Sequence, residues 1–333
     1  MSLPEPRPSI SVVIPIHNAA HLVERVFAPI IAALERQEID EILVVDDCST
    51  DQLMVQLAKY PFVKTARTTQ ISGPGAARNL AAEHATGEIL WFVDSDVIIA
   101  DDSARILGQR FTDQSIVAVM GSYDDTPAAP SFLSQYKNLV HHFYHHQAKA
   151  EASTFWAGCG AVRKSAFLAV KGFDAATYKV PSIEDIELGN RLRAAGGRIL
   201  LDRSIRGKHL KVWRLGNLLH TEIFRRAIPW SKLMLRRGGL IDDLNVGRAE
   251  RLRALLVLFL SSSALLALTG LISWWLPIGV FAVDLIANRT FLSFFLRARG
   301  FWFMVRAYLM HRVYYMYSSA AFASAWVSVK VNR

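Results

Sequence analysis

Short β-branched apolar runs alternate with helical periodicity through the N-terminal part of the chain. Ile10 to Ile16 is such a run, with Pro15 near its end and the polar pair His17-Asn18 after it, and it reads as a buried parallel strand. A helix is predicted from about Ala20 to Arg36, where Leu22, Val26, Ile30 and Leu34 fall near one face. Ile42 to Val45 is a second buried strand that stops on Asp46-Asp47, and Val63 to Ala66 a third. Gly73-Pro74-Gly75 opens a helix through Glu83, closed by Gly87, and Ile89 to Val93 is a fourth strand ending on Asp94-Ser95-Asp96. This alternation predicts an α/β fold with a mostly parallel, doubly wound sheet. Ligands of such sheets bind beyond the carboxyl ends of the strands, and two of those ends here carry paired aspartates.

The pattern then loosens. Ile116 to Gly121 reads as a strand, Ser131 to Ala150 as a helix, Thr154 to Val162 as extended chain, Ile183 to Ala195 as a helix and Ile199 to Leu201 as a late strand. Beyond Arg253 the chain turns strongly apolar. Leu255 to Leu276 has the length of a membrane span, with Trp274 and Trp275 at its far end as interfacial anchors. Pro277 to Leu296 reads as its hairpin partner, although Asp284, Asn288 and Arg289 interrupt it and must face other helices or water. Phe301 to Val329, with Arg306, His311 and Arg312, fits either a third span or an interfacial helix.

Charge sharpens this reading. The 333 residues are 52% hydrophobic with a formal net charge of +9. Arg225, Arg226, Lys232, Arg236, Arg237, Arg248, Arg251 and Arg253 crowd the stretch before the apolar region, where a cytoplasmic juxtamembrane surface is basic. No helix-turn-helix, zinc finger or aromatic RNA-binding signature accompanies the charge, which excludes a nucleic-acid partner. Two cysteines, Cys48 and Cys159, make no disulfide framework and fit a reducing compartment. Met1 to Ser9 has no apolar core of a secretory signal, so the expected location is the cytoplasmic face of the inner or plasma membrane. No G-x-G-x-x-G follows the first strand, which removes the dinucleotide-dependent oxidoreductases.

Two carboxylates separated by one residue at a strand end can share a divalent cation facing a diphosphate. The Asp94-Ser95-Asp96 triplet does not stand alone. In order, the chain carries V-V-I-P-I-H-N at 12–18, V-D-D-C-S-T-D at 45–51, G-P-G-A-A-R-N at 73–79, F-V-D-S-D at 92–96 and I-E-D-I-E-L at 183–188. This series resembles the family 2 glycosyltransferases, inverting enzymes of GT-A fold, over roughly residues 10–215.

The resemblance implies a nucleotide-sugar donor, with a UDP-sugar favoured, and Mg2+ or Mn2+ as cofactor. Pro15, His17 and Asn18 would line the nucleotide pocket, Asp47 would accept a hydrogen bond from the base, and Asp46 would support the loop. Arg78 would approach the ribose or diphosphate. Asp94 would reach the ribose or the metal, with Asp96 as direct metal ligand and His209 completing the metal or diphosphate site. In the Glu184-Asp185 pair Asp185 would be the general base that frees an acceptor hydroxyl, and Glu184 an acceptor-side or supporting residue; acids there also stabilise a helix N-terminus. Trp156 and Gly158, with Trp213, would serve the acceptor. His141, His142, His145 and His146 share helix faces, and without a supporting Glu or Cys pattern they read as acceptor-groove lining or helix cover rather than zinc ligands.

Processive members carry Q-x-x-R-W where this chain has Arg225-Arg226-Ala227-Ile228-Pro229-Trp230. It keeps the tryptophan and loses the rest, which argues against polymer synthesis. The expected organisation is a tail at 1–9, a GT-A catalytic domain at 10–215, basic amphipathic interfacial helices at 216–253 and membrane helices at 254–333. The expected function is transfer of a single sugar, with inversion, to a lipid or lipid-linked glycan acceptor. The rivals are a processive polysaccharide synthase and a catalytically silent membrane scaffold.

Overall fold

The computed structural model describes residues 7–331 apart from 238, 240 and 241, so most of the expected tail, residues 1–6, lies outside the described residues. The chain divides into two compact units, Met1–Trp213 and Arg214–Arg333.

The first unit is built on one eight-stranded sheet. In chain order its elements are β1 (Ile10–Ile16), α1 (Val23–Glu35), β2 (Glu41–Asp46), α2 (Leu53–Leu57), β3 (Lys64–Arg67), α3 (Pro74–His84), β4 (Ile89–Val93), β5 (Val97–Ile99), α4 (Ser103–Arg110), β6 (Ile116–Tyr123), α5 (Phe132–Gln147), β7 (Cys159–Arg163), α6 (Lys164–Ala169), α7 (Glu184–Ala194) and β8 (Arg198–His209). The spatial order is β3-β2-β1-β4-β7-β6-β8-β5. Side chains of β1 alternate between the two faces, as strand geometry demands. Val12 and Ile14 join Trp91, Val26 and Ile30 in one core, while Val13 joins Leu43, Phe92, Ala77 and Leu188 in the other. Both faces are covered, which is why β1, β2 and β4 read as unbroken apolar runs.

The sheet is mixed rather than parallel throughout. β1 pairs in parallel with β2 and β4, but β7 runs antiparallel between β4 and β6, and β5 runs antiparallel to β8. β5 was not foreseen. It is only three residues long and gains its partner from β8, a strand more than a hundred residues away that is longer than Ile199 to Leu201 suggested. The extended segment from Thr154 becomes a strand only at Cys159.

The second unit is helical: α8 (Leu215–His220) passes through a widened π-helical turn, Thr221–Ala227, into α9 (Ile228–Arg236), followed by α10 (Arg248–Leu268), α11 (Trp275–Ala287), α12 (Arg289–Arg299) and α13 (Phe301–Val331). Among the described residues α10 is the one helix long and apolar enough to cross a membrane. It starts earlier and stops earlier than Leu255 to Leu276. The expected hairpin partner, Pro277 to Leu296, is instead two helices, α11 and α12, that meet at 65°. The break falls at Asn288, whose side-chain amide donates to the Asp284 carbonyl at 2.8 Å and to its carboxylate at 3.0 Å. Asp284 is fully buried and also accepts hydrogen bonds from the Tyr308 hydroxyl and from Arg312. The polar residues in this apolar stretch therefore face one another, because an unpaired carboxylate there would be costly.

Candidate active site

β1, β2 and β4 run in parallel, so their carboxyl ends deliver His17, Asp46-Asp47 and Asp94 to one edge of the sheet. Pro15 itself is buried within β1 opposite Val45, and the β1–β4 ladder ends at Val13–Phe92. The backbone turns sharply after the strands: Asn18 and Cys48 both take left-handed conformations, at φ 52° and 57°. Asn18 holds the turn by accepting a hydrogen bond from the Thr50 amide at 2.8 Å, and His17 Nδ1 lies 2.7 Å from the Asp47 carbonyl.

Both aspartates after β2 organise loops. Asp46 accepts from the Ser49 amide at 2.7 Å and pairs with Arg67 at 3.4 Å. Asp47 accepts from the Thr68 hydroxyl and from the amides of Ser72 and Gly73, each at 2.8 Å. Its carboxylate thus fastens the loop leading into α3 instead of standing open. Gly73 is required there: its φ is +84°, and a Cβ would lie 2.6 Å from the Lys179 carbonyl oxygen.

One turn into α3, Arg78 sits 3% exposed with its guanidinium over the Phe173 ring. It donates to Asp94 at 2.5 Å, and a second amino group lies 3.6 Å from Glu184. Its Nε and Nη1 have no hydrogen-bond acceptor among the described residues. Buried donors left open are costly, and a charged one suits a phosphate oxygen. Glu184 and Asp185 open α7. Burial pushes the Glu184 carboxyl up to about 7, the neighbouring Asp185 charge adds to this, and Arg78 opposes it only in part. Asp185 is half-buried and accepts from the Ala157 amide at 3.2 Å and from the Ile186 amide at 2.8 Å. The sheet and α7 thus bring Arg78, Asp94, Glu184 and Asp185 to one place.

Asp96 stands at the start of β5, whose first residue, Val97, is in register with His209 at the end of β8. His209 Nε2 lies 3.3 Å from the Asp96 carboxylate. Burial opposes ionisation of Asp96, but His209 and Lys211 outweigh it and hold the carboxyl below the usual range. A carboxylate oxygen and an imidazole nitrogen facing each other at this distance form a donor set that fits a divalent cation. Among the described residues no group of three His, Cys, Asp or Glu side chains forms a closed metal site. The fit is therefore to an open site, of the kind that substrate phosphates and water complete.

Of the residues expected at the acceptor, Gly158 has no space for a side chain: a Cβ there would lie 2.6 Å from the Trp156 indole. The indole folds back over the strand and meets the edge of Tyr123 at 4.6 Å between ring centroids. Trp213 is 6% exposed with the Lys211 ammonium 4.4 Å above its ring, so it presents no open stacking face. His142 Nδ1 lies 2.9 Å from the Tyr123 carbonyl, and His146 Nδ1 lies 2.9 Å from the His142 carbonyl. These two histidines, with Asp124, Asp125, Arg203 and Arg206, line a cavity of about 300 Å³. Tyr123, Asn138 and Phe173 surround the site and were not singled out from the sequence, since an isolated aromatic or asparagine carries no local pattern.

Residues 11–170 match the profile of the family described as Glycosyl transferase family 2. The poly(ribitol-phosphate) β-N-acetylglucosaminyltransferase TarS of Staphylococcus aureus is 32% identical over 123 residues, covering 33% of this chain and 21% of that protein. An uncharacterised glycosyltransferase of Haemophilus influenzae is 32% identical over 122 residues, 35% of this chain and 47% of that one. The chain thus spans from about a fifth to about half the length of these relatives. Among solved structures, the mannosyltransferase PcManGT of Pyrobaculum calidifontis, in complex with GDP-Man and Mn2+, superposes with a TM-score of 0.63 at 20% identity, over 96% of this chain and 88% of that one. That likeness shows the GT-A fold, and residues 11–170, which hold Arg78, Asp94 and Asp96, form a domain of glycosyl transferase family 2.

Proposed function

We propose that the protein transfers a single sugar, with inversion, from a nucleotide-sugar to an acceptor hydroxyl at the cytoplasmic face of a membrane. The observation that carries this reading is the buried Arg78, which donates to Asp94 and lies 3.6 Å from Glu184 while its Nε and Nη1 make no hydrogen bond among the described residues. Arg78 supplies positive charge where a diphosphate leaves. Asp185, oriented by the Ala157 and Ile186 amides, takes the proton from the acceptor hydroxyl as the bond to the anomeric carbon forms on the face opposite the leaving diphosphate. Asp96 and His209 would hold Mg2+ or Mn2+, and Asp94 is placed to help through either the ribose or the ion. When bound, the ion supplies charge neutralisation for the nucleoside diphosphate. His17 and Asn18 bound the nucleotide end of the groove, and a UDP-sugar is the favoured donor.

A lipid or lipid-linked glycan is the favoured acceptor. Supporting this are α10, the exposed apolar residues along α10, α11 and the turn between them such as Leu255, Leu265, Leu271 and Trp275, and the basic residues before them. The incomplete Q-x-x-R-W segment favours one transfer over processive synthesis. The test is a screen of the detergent-solubilised full chain against UDP-, GDP- and dTDP-sugars, with Mn2+ or Mg2+ and membrane lipid extract, reading released nucleotide and glycosylated product. Release with one donor class, dependent on the metal and on the extract, is expected. No release with any donor overturns the enzymatic reading, and release that ignores the extract overturns the lipid acceptor.

A further inference from the structure

The environment of His209 defines its chemistry more narrowly than its place beside Asp96. Three contacts fix the ring. Its backbone is held in β8 opposite Val97. One face stacks on Tyr123 at 4.7 Å with the planes 12° apart. Its Nδ1 lies 3.2 Å from Oδ1 of Asn138, a side chain on α5 that is 2% exposed.

An amide oxygen only accepts, so Nδ1 must carry a proton to bond it. In the neutral ring that leaves Nε2 with its lone pair, and Nε2 is the atom that faces Asp96. We infer that Asn138 is a positioning residue: it fixes the Nδ1–H tautomer of His209 and so presents Nε2 as a nitrogen ligand for a divalent cation shared with Asp96. This rests on the metal reading proposed above and deepens it. Partners of this kind, behind a ligating histidine, typically contribute 10- to 100-fold in metal affinity. Tyr123 prevents the ring from tilting, and Asn138 decides which nitrogen is free.

The inference separates three substitutions at one position. Asn138→Leu keeps the branched shape and removes the acceptor. Asn138→Asp keeps an acceptor oxygen in place. Asn138→Ala removes the acceptor without adding bulk, and serves if the leucine variant does not fold. The measurement is Mn2+ titrated into the detergent-solubilised full chain, alone and with UDP or GDP. Free ion is read by electron paramagnetic resonance, and the bound ion by the pulsed-EPR coupling of a directly ligated 14N.

The wild-type protein is expected to show the nitrogen coupling. Asn138→Leu and Asn138→Ala are expected to lose the coupling and to bind about 10- to 100-fold more weakly, while Asn138→Asp retains both. Unchanged affinity and coupling in the acceptor-less variants overturn the role of Asn138. A wild-type protein that binds Mn2+ without nitrogen coupling overturns His209 as ligand. A wild-type protein that binds no Mn2+ overturns the metal reading from which the inference starts.

Discussion

Arg78 reaches the Asp94 carboxylate at 2.5 Å from inside α3, with 3% of its own surface exposed. The pair joins the helix after β3 to the end of β4. A lysine could carry the charge but not the fork. Arg78→Lys is expected to lower kcat/KM at least 100-fold and to weaken nucleoside diphosphate binding. Because it leaves Asp94 and Glu184 poorly paired in a buried setting, it should also cost about 2–4 kcal/mol of stability. Steady-state kinetics with the donor found by the screen, together with denaturant midpoints, checks both.

Asp185→Asn keeps the shape and the amide-facing oxygen but removes the base. Transfer is expected to fall by about 10²–10⁴-fold, with nucleotide affinity unchanged. Calorimetric titration of the nucleotide beside the transfer assay distinguishes this from a binding defect. Retained turnover would remove Asp185 from the mechanism.

Glu184 sets a pH dependence whose sign follows from its environment. Its folded value, about 7, lies above the ordinary carboxylate value of 4.5, since burial and Asp185 disfavour its charge. The folded state holds its proton more tightly than the unfolded chain. The stability this gives is complete below about pH 4.5 and is lost as the pH rises through about 7. Glu184→Gln should therefore flatten the fall in stability between pH 5 and pH 8, by about 1–3 kcal/mol. Chemical denaturation of both proteins across that range is the measurement, and parallel curves would contradict it.

In the helical unit, Asp284 takes hydrogen bonds from Tyr308, Arg312 and Asn288 with none of its surface exposed. Asp284→Leu leaves the Arg312 guanidinium without its carboxylate. A loss of about 3–5 kcal/mol is expected, read as a lower melting temperature in detergent. The double variant Asp284→Leu with Arg312→Leu should recover part of it.

What the sequence disclosed and what it withheld divide along a physical line. β1, β2 and β4 were legible because strands buried on both faces are continuous apolar runs, and the acids after them stand out by contrast. Arg78 and the Glu184-Asp185 pair were legible through the ordered G-P-G-A-A-R-N and I-E-D-I-E-L segments that carry the family resemblance, each of which opens a helix. β5 was hidden, since three residues gain identity only from a distant partner. Asn138, Tyr123 and Phe173 were hidden likewise, because their meaning lies in what they touch across the fold. The fastening of Asp47 to Thr68, Ser72 and Gly73 depends on loop geometry that no spacing rule conveys.

The short pairing of β5 with β8 has a consequence for how such a protein can be altered. Val97 opposes His209, so the Asp96–His209 pair is held by a strand register rather than by a loop. Registers change in whole steps, and a slip of one residue turns every side chain to the opposite face. A single-residue insertion within the last residues of β8 would not loosen the pair by degrees; it would point the imidazole away. Drift in this half of the groove is all-or-none, and graded variation is left to the segments outside the ladder.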